Sequence, residues 1–558
     1  MRLLHTLNRV AAAVAFLACT LLAQRAGAQL TFELDSFPRA YQLYARDYGA
    51  DSGRVPVSGW LVDGGAFTQV RLRARDAAGR EVATDVADLT RAGDTARFAT
   101  AVRLPAALED YRVEVYGERA DGTGLLLYEA ERVVVGDVYY ITGQSNAEAG
   151  AAAMPEDWDD FSRSFTYANG WNTINFSFPG QWGGRLAKRL IAERGVPVAI
   201  FNEAVGGEYV EFFLPGAAGS GHFERSRQRL RDAQLDGRVR ACFWFQGEAD
   251  GWGIPSAQYR AGFLALDRAW AEQYGARYTA LYQLRRNSCG HPLPFVMEAQ
   301  RQVNAEPGVY TLSTLNAAHD SCHFYYEEGY QRLGDHLTAL VLAVEGGGGD
   351  VDAAGAPVGP AFSPDIARIE RRGPRELALT FGAPAGEQLR TVGDPWDDFY
   401  VSEADDVRGV SGTWIDEHTL SLRLSGDVAA GQHLSYTGHP GPDLSSLVNA
   451  AGLGVLAFHA FPVAAASATG GVADRGADAP VVTLGADRAL RVRALGLTRV
   501  RVTDARGRVV LDRRLRAGSA TAVRELNAQL DPSAAGLLFV TSDYGAGATA
   551  TRRVLAGR

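Results

Sequence analysis

Between Asp137 and Glu345 short apolar runs alternate with longer stretches whose apolar residues recur at helical spacing. That alternation constrains the fold more than any other feature of the chain. The runs DVYYITG, PVAIFNEAV, RACFWFQG, YTALYQL and VYTLSTLN are rich in β-branched and aromatic residues and read as buried strands. Between them WGGRLAKRLIAERG, SAQYRAGFLALDRAWAEQYG and YYEEGYQRLGDHLTALVLAV read as helices. Strand and helix in alternation imply right-handed crossovers, hence a parallel sheet covered on both faces. In such a sheet the loops that follow the strands share one edge, where ligands and nucleophiles are held.

The flanks follow a different rhythm. From residue 29 to 136 short alternating runs such as VPVSGWLV, TQVRLRARD and YRVEVYGER are separated by turn signals at Asp63-Gly64-Gly65 and Asp121-Gly122, the pattern of a small all-β sandwich. After the α/β region, assigned to 137–345, the stretch EGGGGDVDAAGAPVGP reads as a flexible linker. Period-two runs return over 361–463 as a second β domain. A small-residue stretch, Ala464 to Pro480, leads to an arginine-rich module of short strands over 481–558. A chain of 558 residues is long enough to need several cores, in keeping with this division.

The first 28 residues carry Arg2 and Arg9, an apolar middle from Val10 to Ala23 and the small-residue exit Ala26-Gly27-Ala28, the pattern of a secretory signal peptide cleaved after Ala28. Phe16-Leu17-Ala18 before Cys19 fits a lipobox poorly. No later run is long and apolar enough for a membrane span, so an exported protein, secreted or at the cell surface, is expected. The net charge of −9 gives no support for a nucleic-acid partner. Three cysteines remain after Cys19. Cys242 lies within an apolar run and reads as a buried thiol, while Cys289 and Cys322 lie in loop-like sequence and are the preferred disulfide pair of an oxidising compartment.

Four stretches fall at the carboxyl ends of predicted strands: GQSN at Gly143–Asn146, Gly206-Gly207, QGE at Gln246–Glu248, and DSCH at Asp320–His323. Their residue types suit nucleophilic acyl transfer. A serine hydroxyl needs a base within hydrogen-bond reach and a third group to orient that base. Ser145 is the candidate nucleophile, His323 the base and Asp320 the orienting carboxylate. The N–H groups of Ser145, Gly206 and Gly207 and the side-chain amide of Gln246 are candidate donors to an oxyanion. Gln144, Asn146 and Glu248 are supporting residues.

These four stretches resemble the consensus blocks of the SGNH/GDSL hydrolase superfamily, and more narrowly its sialate O-acetylesterase-like branch of carbohydrate esterases. The resemblance spans roughly Asp137 to Glu345. It implies a three-layer α/β/α domain and serine esterase chemistry without metal or cofactor. It also implies an acetylated carbohydrate as substrate, with the triad and oxyanion hole falling on the residues just named. Where the second block commonly continues with Ser or Thr, this chain has Glu208, whose charge disfavours an anionic substrate such as sialic acid and favours a neutral O-acetylated polysaccharide. The final module, with Leu537-Leu538-Phe539-Val540 and Arg553-Val554-Leu555, is similar to the C-terminal sorting domain of type IX secretion and implies that machinery as a partner.

Competing readings stand beside these. Ser145 is also a good helix N-cap. His319 and His291 are rival bases, and His336 reads as a packing residue on the last helix. Trp171, Tyr209, Phe213 and Trp252 flank the blocks and are either core or sugar-stacking residues. Two other function classes compete: a surface glycan-binding protein whose α/β domain has lost catalysis, and a lipid or aryl esterase on the same fold.

Overall fold

The computed structural model describes residues 30–465, apart from 63–64, 348–349 and 352–356, and the strands of the final module beyond residue 480. The signal peptide expected over residues 1–28 and much of the linker lie outside the described residues. At the centre is a strand of twenty residues, β1 (Gly124–Gly143), and its two halves belong to different sheets. Its first half pairs antiparallel with Tyr111–Glu118 in the N-terminal β domain. Its second half is flanked in parallel register by Val198–Asn202 and Ala241–Phe245. One strand therefore runs across the expected boundary at 136/137.

Around β1 the other strands are β2 (Ser162–Thr166), β3 (Gly170–Asn172), β4 (Val198–Asn202), β5 (Ala241–Phe245), β6 (Thr279–Gln283) and β7 (Val309–Ser313). They lie in the order β3-β2-β4-β1-β5-β6-β7, parallel except for the edge strand β3. The five expected runs are strands; β2 and β3 add two that were not foreseen. They are short, and β2 is SRSFT, with too little apolar periodicity to stand out. Every residue of β5 to β7 is buried, as a sheet covered on both faces requires.

The helices are α1 (Gln181–Arg194), α2 (His222–Asp232), α3 (Ser256–Ala269), α4 (Pro294–Val303) and α5 (Gln331–Gly346). Helices α1 and α5 pack together on one face, α3 and α4 on the other. Alternation along β5 serves the two layers. Trp244 meets Phe263 and Trp270 on the α3 side, while Phe245 meets Tyr282, whose hydroxyl donates to the Leu333 carbonyl of α5. The result is a helix–sheet–helix arrangement with one continuous apolar core.

The N-terminal domain is a pair of antiparallel sheets closed on a core of its own that includes Val55, Val57, Leu72, Val102 and Val113. The second β domain holds the edge of the parallel sheet. The Gln283 side chain makes two hydrogen bonds of 2.8 Å to the backbone of Ala457, one donated and one accepted, and the Ser363 hydroxyl accepts from Ser313 N–H at 2.8 Å. In the final module seven strands form a three-stranded and a four-stranded antiparallel sheet.

The start of the parallel half of β1 is pinned by charge. Asp137, 2% exposed, accepts from Arg46 Nε at 2.9 Å, Tyr48 Oη at 2.6 Å and Arg194 Nη1 at 3.0 Å. Arg46 and Tyr48 come from the N-terminal domain, Arg194 from α1. Removing one member of such a buried set leaves the others uncompensated. Asp137→Ala is expected to destabilise the protein by about 3 kcal/mol, read as a lower urea midpoint with an unchanged slope.

Candidate active site

The strand β1 ends on Gly143 at φ +130, with a Cβ position only 2.1 Å from the Phe245 carbonyl oxygen, so no other residue fits there. The chain turns at once: Gln144 N–H donates to Phe245 O at 2.9 Å, and a one-turn helix, Ser145–Glu148, follows. Gln144, not Ser145, occupies the N-cap position, and its side chain makes no cap. Ser145 is the first residue of the turn, half-buried, and its hydroxyl bonds to no described residue.

The loops that follow the strands converge here and are bonded to one another. Gln144 Oε1 accepts from the N–H groups of Gly247 and Ala249, each at 3.2 Å, which ties the first block to the third. Asn146 is the hub. Its Nδ2 donates to Glu248 Oε1 at 2.6 Å and to the Cys322 carbonyl at 3.1 Å, and its Oδ1 accepts from Tyr330 Oη at 2.8 Å. The fourth block is thereby held against the serine turn through the residue beside Ser145. A Cys289–Cys322 disulfide fastens that block to the loop after β6, as expected, and Cys242 is the buried free thiol.

Asp320 and His323 sit in an exposed hairpin. Asp320 Oδ1 accepts from the N–H groups of Cys322 at 2.6 Å and His323 at 2.7 Å. Burial pushes the Asp320 carboxyl up, but these two N–H groups, then the charges of His323 and Arg285, outweigh it and hold the carboxyl below its ordinary value. The His323 imidazole lies with Nε2 at 3.9 Å from Cys322 Sγ. Among the described residues no hydrogen bond joins the Ser145 hydroxyl, the His323 imidazole and the Asp320 carboxylate to one another; His323 meets that carboxylate only through its backbone N–H. The three share one edge of the sheet without forming a relay.

The oxyanion-hole candidates are differently placed. Gly206 N–H donates to the Glu148 carboxylate at 3.0 Å. Gly207, at φ +76, is exposed in the same turn. Gln246 is fully buried, and its amide donates to the Glu208 carbonyl at 2.9 Å and to the Asp250 carboxylate, which engages both of its hydrogens. Glu248 is buried with Oε2 unpartnered. Burial pushes its carboxyl above the ordinary range, against the pull of Asn146, Ser288 and Arg285.

Of the rival bases, His319 is buried, bonded through Nδ1 to the Asp320 carbonyl, and pushed down to about 4 by burial and then by the charge of Arg285. His336 is likewise pushed down to about 4 by burial and lies on α5. His291 is half-buried on the loop before α4. Trp171 and Phe213 are core residues at 4% and 1% exposure, whereas Tyr209 is 49% exposed.

Four residues of the site were missed from sequence: Glu148, Asp250, Arg285 and Tyr330. Arg285 is buried two positions beyond β6, donating to the Asp320 carbonyl at 3.2 Å, and burial lowers its guanidinium to about 10. Its place just after a strand was the available signal. Asp250 stands two residues beyond the third block, as Glu148 does beyond the first, and that closeness was a signal. Tyr330 lies on the turn into α5, and only folding brings it to Asn146.

Residues 179–343 match the family described as carbohydrate esterase, sialic acid-specific acetylesterase. A carbohydrate acetylesterase from Xanthomonas citri shares the fold, at 21% identity and a TM-score of 0.53, over 77% of this chain and 99% of that one. A protein from Arabidopsis thaliana aligns over 37% of this chain and 98% of its own, at 18% identity and a TM-score of 0.33. No curated protein matches. The matched segment places the α/β domain among carboxylic ester hydrolases that act on acetylated carbohydrates.

Burial pushes the Asp250 carboxyl up to about 6, and it is this carboxylate that holds Gln246 and the Val210 N–H. A carboxyl raised in the folded state binds its proton more tightly than in the unfolded chain, so it contributes stability at low pH that is lost as pH rises. Relative to Asp250→Asn, the wild type is expected to lose up to about 3 kcal/mol between pH ~4 and ~6 and no more above that. Denaturant unfolding of the two proteins across that range checks it, and a parallel pair of curves would refute it.

Proposed function

We propose that the protein removes O-acetyl groups from carbohydrates through Ser145, with His323 as base and Asp320 as the carboxylate that orients it. The observation that carries this reading is the Asn146 hub, which binds the serine turn to Glu248 of the third block and to the Cys322 carbonyl beside His323. The blocks that the chemistry needs are thus one bonded unit, within a domain that matches a carbohydrate-esterase family.

In this mechanism the exposed His323 side chain turns from Cys322 towards Ser145 and accepts the hydroxyl proton as Oγ attacks the acetyl carbonyl. A tetrahedral oxyanion forms beside the Ser145 N–H and the Gly206-Gly207 turn. The C–O bond to the sugar breaks, and the sugar oxygen leaves with the proton held on His323. Water, deprotonated by the same imidazole, then attacks the acetyl-serine and releases acetate. For Gly206 to donate to the oxyanion, the Glu148 carboxylate has to leave its N–H. Gln246 enters the hole only by giving up one of its two present acceptors.

Glu148 on the Gly206 turn and Glu208 two residues further on add negative charge beside the serine. That favours a neutral O-acetylated polysaccharide over sialic acid as the acyl-bearing sugar. Export by residues 1–28 and passage through type IX secretion by residues 481–558 complete the reading.

Ser145→Ala is expected to lower acetate release from acetylated xylan and from p-nitrophenyl acetate by several orders of magnitude, the scale of triad knock-outs. Equal activity in both proteins would remove Ser145 from the mechanism. No activity in the wild type would favour a glycan-binding protein on a hydrolase scaffold, and a preference for long acyl chains a lipid esterase. Asn146→Ala, which unties the His323 hairpin from the serine turn, is expected to cost about a hundredfold in kcat with a smaller change in KM. Steady-state kinetics on the small ester separates the two parameters.

A further inference from the structure

At the opposite end of the parallel sheet from Ser145, a cavity of about 340 Å³ opens between the N-terminal β domain and the α/β domain. Its lining includes Arg54, Arg103, Arg238, Asp47, Gln234 and Tyr44. Arg54 and Arg103 stand on neighbouring antiparallel strands, Ser52–Val62 and Thr95–Pro105, directly opposite each other in the register. Like charges facing each other across a ladder are destabilising. Arg238 brings a third guanidinium from the segment that leads into β5.

The compensation inside the protein is thin. Among the described residues Arg54 and Arg238 form no ion pair, and Arg103 reaches Asp47 only at 3.9 Å while donating to Ser52 Oγ at 3.2 Å. Three arginines against one carboxylate leave the lining with an excess of positive charge, in a chain whose net charge is −9. Two of the guanidiniums keep their planar sets of donors open, and that geometry matches a carboxylate or sulfate.

We infer that this cavity is a non-catalytic binding site for the acidic groups of a glycan, with a sugar carboxylate as the ligand chemistry. The site needs no esterase chemistry for its existence. Only its use, anchoring acidic branches of the acetylated polysaccharide, rests on the function proposed above. Its place suits that use. Asp137 to Gly143 spans the sheet from this end to the serine turn, ~20 Å at the rise of a strand. An anchored chain of several sugars would reach across that span while the acidic surroundings of Ser145 turn away its charged branches and admit neutral acetylated units.

The test is made on the full-length Ser145→Ala protein, so that binding is read without turnover. Calorimetry with hexagalacturonic acid is expected to show binding that weakens as salt rises, with xylohexaose, uncharged and of equal length, binding far more weakly. Arg54→Ser and Arg238→Ser are each expected to weaken hexagalacturonate binding about tenfold or more. Cleavage of p-nitrophenyl acetate by the same substitutions in the Ser145 background should be unchanged, which shows that they fold. Hexagalacturonate should also raise the melting temperature of the parent and not of the variants. Equal binding of both oligosaccharides, or affinity untouched by the substitutions, overturns the inference. Binding of inorganic sulfate without hexagalacturonate overturns the glycan as ligand. Loss of esterase activity in the wild type with acid-dependent binding intact would sink the proposed function and leave this site standing.

Discussion

One strand bears on everything else in the molecule. β1 leaves the N-terminal sandwich, passes without a break into the parallel sheet and ends on Gly143, where a Cβ would collide with Phe245 O. The strand cannot shift along its neighbours, because a one-residue slip would exchange the two buried faces of the sheet. The buried Asp137 set pins the start of its parallel half. The place of Ser145 is therefore a consequence of sheet register, fixed by hydrogen bonds and packing on both sides.

From that fixed point the edge that carries Ser145 is assembled largely by side chains that bond to backbone, with no side-chain bond among the three candidate triad groups. Gln144 and Asn146 flank Ser145 and use their amides to hold the neighbouring loops, which leaves the serine hydroxyl unengaged between them. The same economy of partners explains how the candidate oxyanion donors are held. Glu148 holds the exposed Gly206 N–H, and Asp250 with the Glu208 carbonyl satisfies the buried Gln246 amide. The disulfide between Cys289 and Cys322 fastens the hairpin that carries His323, while the imidazole itself is exposed.

The flanking domains touch both ends of the same sheet. The second β domain reaches the carboxyl ends of β6 and β7 through Gln283 and Ser313, at the same edge of the sheet that carries Ser145. The N-terminal domain covers the other end, where its strand partners Arg54 and Arg103 face Arg238. On the two proposals above, a parallel sheet used in this way has one edge for chemistry and the other for recognition.

The fold class and the block positions were legible in the sequence because both depend on local signals: period-two and period-3.6 runs, and small or polar residues where strands stop. The strands β1, β4, β5, β6 and β7 and five of the described strands of the final module follow from those signals, and the pairing of Cys289 with Cys322 follows from their loop-like settings in an exported chain. The short strands β2 and β3 and helices α2 and α4 carry weaker local patterns. Which groups touch could not be read locally. Asn146 meets Tyr330 across 184 residues and Asp137 meets Arg46 across 91. The roles of Glu148, Asp250 and Arg285, the burial of Trp171 and Phe213, and the opposition of Arg54 to Arg103 come from strand register and side-chain packing. The sequence determined which residue types stand at strand ends. Tertiary structure decided which of them bond, because a hydrogen bond or a charge contact depends on ångström-scale placement that distant segments set together.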